Sequence, residues 1–136
     1  MGRFWKLDHT ADLAVRVEAE TIEDLFITFA KAMFESIIEG QIRKRVEIRF
    51  EIKASDVKEL LMDWLRELIY RFETQGFIPA GYSLKVNDNH LIARTVGDEF
   101  DPQIHTALIE IKTPTYHRFS LEEKNGLWQS TVIFDV

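Results

Sequence analysis

The sequence predicts an α+β fold in two layers, with two amphipathic helices packed on one face of a largely antiparallel β-sheet. Three observations predict it. Two long stretches carry apolar residues at helical spacing. Most of the remaining chain alternates apolar and polar side chains, as strands with one wet face do. Hairpin turn residues punctuate the second half, ending with Asn125-Gly126.

Residues 3–8 and 12–19 read as a first hairpin, whose second arm, LAVRVEA, alternates cleanly. Thr21 then caps a helix, with Glu23 and Asp24 in the first turn, where the helix dipole favours anions. Ile22, Leu25, Phe26, Phe29, Ala30, Met33 and Ile37 share one face of it, and Gly40 is the expected stop. RKRVEIRFEIKA is the next strand, with Val46, Ile48, Phe50 and Ile52 on one side. Arg45, Glu47, Arg49, Glu51 and Lys53 occupy the other, and their alternating signs point to cross-strand pairing rather than a phosphate track. SDVKELLMDWLRELIYRFETQG is the second helix, with Asp56 and Glu59 as a variant capping box. Its stripe runs from Val57 through Leu60, Leu61, Trp64, Leu65 and Leu68 to Ile69 and Phe72, and Gly76 ends it. Strands follow: YSLKV and LIARTV around the turn NDNH, then ALIEIKT and YHRFSLEE, broken at Thr113-Pro114. LWQSTVIFDV is the last strand.

The 136 residues suit a single domain, 1–136, large enough to bury a core without staples. With no cysteine, disulfides, thiolate metal sites and a cysteine nucleophile are excluded. No apolar run approaches the roughly 18 residues of a membrane span. MGRFWKLD lacks a hydrophobic signal region, so a cytoplasmic protein without a membrane partner is expected. The net charge of -6 argues against strong direct binding to nucleic acid, though it leaves room for a local basic patch. There is no phosphate-binding glycine loop, HExxH helix or G-x-S-x-G elbow.

The chemically suggestive residues are few. DHTAD packs Asp8, His9 and Asp12 into the lip of the first hairpin. Asp135 ends the last strand, and the carboxylate of Val136 adjoins it. Together these oxygens could hold a hard divalent cation. The alternative is that the aspartates cap turns and end strands in solvent, with His9 as a turn residue. Lys112, Tyr116 and His117 surround the Pro114 break; they are either an acid–base group or a surface lysine, a half-buried tyrosine and a strand histidine. His105, among Asp98, Glu99 and Asp101, reads as part of a solvated loop, and Asp63 as a solvated residue off the helix stripe.

Taken in order, DHTAD, EDLFITFAKAMF, ELLMDWLRELIY, EIKTPTYH and the C-terminal strand ending in Asp resemble the archease family from about residue 4 to 136. The resemblance implies the family's α+β fold, with two helices on a sheet. It implies a protein cofactor rather than an enzyme: an activator of the RtcB-type tRNA-splicing RNA ligase that promotes guanylylation and turnover. It implies a divalent ion, calcium first, with magnesium and manganese suited to the same ligands. Asp12 and Asp135 fall on the family's metal-binding aspartates. Asp8 and His9 belong to the same motif, where they position the site or touch the partner, and Lys112 falls on a functionally important lysine. A second implied role is a chaperone-like partner of a tRNA methyltransferase. A stand-alone metal-dependent hydrolase, with His9 or His117 as base, is the remaining reading of the same acids. One departure stands out: the family's Lys-Ala-Val-Thr-Tyr-His is Lys-Thr-Pro-Thr-Tyr-His here, and a bulge at Pro114 is the expected accommodation.

Overall fold

A computed structural model describes residues 2–7 and 12–136. The elements in chain order are β1 (Arg3–Leu7), β2 (Asp12–Ala19), α1 (Ile22–Ile37), β3 (Ile38–Glu39), β4 (Val46–Lys53) and α2 (Val57–Gln75). There follow β5 (Phe77–Asn87), β6 (His90–Glu99), β7 (Thr106–Ala107), β8 (Thr113–Lys124) and β9 (Leu127–Asp135). The α+β class with two helices and antiparallel strands stands as expected. The strands are divided, however, into a four-stranded sheet β1-β2-β9-β8, a three-stranded sheet β4-β6-β5 and the short pair β3-β7. Both helices contact strands of both larger sheets, so the helix pair packs against an inner face of each.

The helix caps follow the sequence. The Thr21 hydroxyl accepts from the Asp24 N–H at 3.0 Å, and the Asp56 carboxylate from the Glu59 N–H at 2.9 Å. Gly76 closes α2 at φ 68°, a left-handed position that glycine adopts without strain. α1 instead stops at Ile37, before the expected Gly40, because Ile38 and Glu39 pair with Ala107 and Thr106.

Trp64 sits at the centre with no exposed surface. Its indole N–H donates to the Phe26 carbonyl at 2.9 Å, tying α2 to α1. Its ring meets Phe50 of β4 and Tyr82 of β5, at centroid distances of 5.8 and 6.2 Å. Val15, Val17, Val132 and Phe134 bring the four-stranded sheet into the same core.

Three segments differ from the sequence reading. ALIEIKT is not a strand beyond Thr106–Ala107; residues 108–112 run unladdered, held by the Leu108 N–H on the Ile37 carbonyl at 2.8 Å. GDEF is not a loop up to Glu99, since Asp98 and Glu99 finish β6 opposite Ile78 and Phe77. The bulge does not fall at Pro114, which pairs with Phe134 in regular register. β8 is an edge strand, the place where sheets admit proline. The register shifts later, between Thr115 and Ser120, where Arg118 takes φ 52°.

Candidate functional site

The ends of β2 and β9 bring the two candidate metal-binding aspartates together. Asp12 is the register partner of Asp135. Leu13, Val15 and Val17, with Phe134 and Val132, pack with the helices, so the alternate positions carrying Asp12 and Asp135 lie on the outward face. Directly opposed residues in an antiparallel pair have Cβ atoms about 4.5–5.5 Å apart, and like charges there repel. On its other side Asp135 is paired with Thr113, and its carbonyl accepts the Lys112 N–H at 2.8 Å. Lys112, far away in sequence, is therefore tied by its backbone to the strand end that carries Asp135. Val136 follows at the exposed end.

Two opposed carboxylates are the donor chemistry a hard cation takes, so the pair fits half of a divalent site. Among the described residues no group of three or more His, Asp and Glu is close enough to complete one. Asp8 and His9, the other candidates of this motif, lie outside the described residues.

Tyr116 and His117 are not part of that pair. Both are exposed and lie in the bulge that carries β8 away from its register. The Tyr116 hydroxyl donates to Glu59 at 2.8 Å and accepts from the Arg66 guanidinium at 2.8 Å. That guanidinium also lies 5.4 Å from the Tyr116 ring centroid and bonds Asp63 at 2.9 Å. The tyrosine thus pins the bulge to α2. Asp63, read as solvated, is half-buried and paired with Arg66.

The sequence reading missed a buried polar cluster. Asp98 has no exposed surface. It accepts from the Arg43 Nε at 2.8 Å, the Arg43 backbone N–H at 3.0 Å and the Glu99 N–H at 2.9 Å. Hydrogen bonds from Arg43, foremost, hold its carboxyl far below the usual carboxylate range, against the opposing effect of burial. His105, read as solvated, is buried beside it. Its Nδ1 accepts the Asp101 N–H at 2.9 Å, so its proton sits on Nε2, which donates to the Gln41 carbonyl at 2.8 Å. A Pro-containing acidic loop is ordinarily wet; only the partner Arg43, 55 residues away, makes its burial tolerable, and no local pattern announces it.

Cross-strand pairing of the RKRVEIRFEIK face is only partial. Glu47 binds Arg49 at 2.8 Å and Arg94 at 2.7 Å, and Glu51 binds His90 at 2.9 Å. The hydrogen bonds from Arg49 and Arg94 hold the Glu47 carboxyl below its usual range. Among the described residues, Lys44, Arg45 and Lys53 take no part in the ion pairs of this face.

Residues 4–136 match the model of the archease protein family. Among curated relatives, "Protein archease" of Methanopyrus kandleri is 34% identical over 136 residues, covering 96% of this chain and 97% of its own. That of Pyrococcus furiosus is 31% identical, covering 98% and 99%. The solution structure of Protein 1598 of Methanobacterium thermoautotrophicum superposes with a TM-score of 0.83 at 28% identity, covering 99% of this chain and 98% of that one. A crystal structure from Thermotoga maritima, described as an archease and possible chaperone, gives 0.68 at 20% identity over 96% and 94%. Among the described residues no helix is long and apolar enough to cross a membrane.

Proposed function

The chain belongs to the archease protein family, and from that premise we propose that it activates an RtcB-type tRNA-splicing RNA ligase without itself catalysing a covalent step. The observation that carries this reading is the register of Asp12 against Asp135, which sets two carboxylates side by side at an outward strand end. Asp12, Asp135 and the Val136 carboxylate would hold a divalent ion, calcium before magnesium or manganese, with Asp8 and His9 as the remaining candidates. Bound there, the ion supplies a fixed positive charge at an otherwise acidic tip. Lys112, held to the Asp135 carbonyl by its backbone, offers an exposed cation next to that tip for a phosphate or an acidic group of the partner. An activator of this kind works by binding the ligase's nucleotide-ready conformation better than the alternative, and it shifts the population by that difference. The chain's net charge of -6 suits a partner that is basic enough to hold RNA.

The test measures ligase turnover with limiting GTP and excess broken RNA, with and without chelator. The expected result is stimulation by the native chain that chelator removes and that Asp12→Ala and Asp135→Ala abolish. Stimulation that survives both variants and chelation overturns the metal-dependent reading. One observation favours a second role: the relative from Thermotoga maritima is described as a possible chaperone. A chaperone-like partner of a tRNA methyltransferase would solubilise that enzyme equally well after loss of Asp135.

A further inference from the structure

We propose that the open face of the β4-β6-β5 sheet binds the phosphate backbone of RNA. The register places Arg49 beside Arg94, and Lys53 and Asn87 on either side of His90. Lys85 lies beside Ile92, and the Lys44 ammonium lies over Gly81 at the other end. Among the described residues, six cations, Lys44, Arg45, Arg49, Lys53, Lys85 and Arg94, therefore lie on or at the end of one outward face, where the exposed carboxylates are Glu47 and Glu51 and Asp98 is buried under Arg43. Of the chain's 17 Lys and Arg and 23 Asp and Glu, that leaves 11 cations against 21 anions for everything else. The molecule is acidic overall because it is acidic elsewhere.

The pairing within this face sharpens the point. Arg49 and Arg94 share Glu47, and Glu51 is taken by His90. Among the described residues, Lys44, Arg45, Lys53 and Lys85 pair with no carboxylate on this face. Arg45, just before β4, and Lys53 at its end are eight residues apart along extended chain, so the cations span about 26 Å. A stable protein interface needs an apolar core with aromatic anchors. This face exposes one large apolar side chain, Ile92, and no aromatic one. Phosphate contacts need only cations. The lack of aromatic rings also removes the stacking platform that splayed single-stranded bases use, so folded or duplex RNA is the favoured form. The inference rests on the proposed function only in naming RNA as the polyanion.

The test contains no ligase, so its failure is distinct from failure of the activator reading. A fluorescein-labelled RNA hairpin is titrated with the full chain and followed by anisotropy, between about 50 and 200 mM salt. Binding is expected with a dissociation constant on the order of 1–100 µM, weakening with salt at a log–log slope near about -3. Lys53→Ala/Lys85→Ala should weaken binding about tenfold and reduce that slope by about 2. Lys31→Ala/Lys58→Ala, with the same change in net charge on exposed positions of α1 and α2, should leave both unchanged. Equal losses in the two double variants, or no binding by the native chain at low salt, overturn the proposal. So does a polyglutamate peptide that displaces the hairpin as well as unlabelled RNA does, since it assigns the face to an acidic protein. A DNA hairpin that binds as tightly overturns the assignment to RNA.

Discussion

Asp135→Asn distinguishes a metal site from a mere pair of strand-end carboxylates, because the two predict opposite signs. Without metal, Asp12 and Asp135 stand opposed on neighbouring strands. Neutralising one relieves a like-charge pair worth about 0.5 kcal/mol. At about 2.1 cal/mol/K per residue, the unfolding entropy of 136 residues converts 1 kcal/mol into about 3–4 °C of Tm. The variant should therefore melt about 2 °C above the native chain in chelator. With calcium at about one hundred times its dissociation constant, the native chain gains about 2.7 kcal/mol, or about 9 °C, by mass action. The variant has lost one of its two described carboxylates and should gain little. The order of the two melting temperatures thus inverts on adding metal. Thermal melts in chelator and then in calcium, magnesium or manganese read this directly. A native chain whose Tm none of the three ions moves, or a variant that shifts as far as the native chain, refutes the reasoning.

Asp98→Asn places an amide donor against the donors of Arg43 and Glu99 and should cost about 3 kcal/mol in urea unfolding. Because the folded carboxyl is held below its unfolded value, its stabilisation is present above about pH 4 and lost as pH falls through the folded value. The variant should therefore unfold in acid with a shallower pH dependence than the native chain. His105→Ala strips partners from the Asp101 N–H and the Gln41 carbonyl and should cost about 2–3 kcal/mol by the same measurement. Thr95→Val should raise stability by about 1 kcal/mol, since the buried Thr95 hydroxyl has no hydrogen-bond partner among the described residues. Lys112→Ala should leave stability within about 0.5 kcal/mol of native, as surface changes do, while reducing ligase stimulation.

The fold was legible where one element's pattern decides its own state. Thr21, Asp56 and Gly76 cap their helices as read, because capping is a contact within three or four residues. It failed where a distant partner decides. ALIEI alternates like a strand, but the ladder it would need is absent beyond Thr106–Ala107, so Leu108 and Ile109 stay exposed. Pro114 was expected to break β8 and does not, because an edge position tolerates it; the irregularity sits where Tyr116 is drawn to α2. Within the candidate site, Asp12 and Asp135 are 123 positions apart in sequence, and only the β2-β9 register makes them neighbours. Their places at the hairpin lip and at the end of the last strand suggested them as one oxygen site, and the family resemblance singled them out; only the register sets them side by side.

The total charge averages over faces of opposite character. The net charge of -6 is unevenly spread, since the β4-β6-β5 face carries six cations with Glu47 and Glu51. The aspartate pair lies on the outward face of the four-stranded sheet, and the cation-rich face on the outward face of the separate three-stranded sheet. A partner that grips one face leaves the other open. That separation gives a sharper expectation than either surface alone. Asp135→Ala should abolish metal-dependent stimulation without weakening RNA binding, and Lys53→Ala/Lys85→Ala should do the reverse when RNA is saturating. Titrating each variant in both assays tests this. If either variant loses both activities while keeping its native Tm, the two faces act as one site, and the division of labour argued from the sheet topology is wrong.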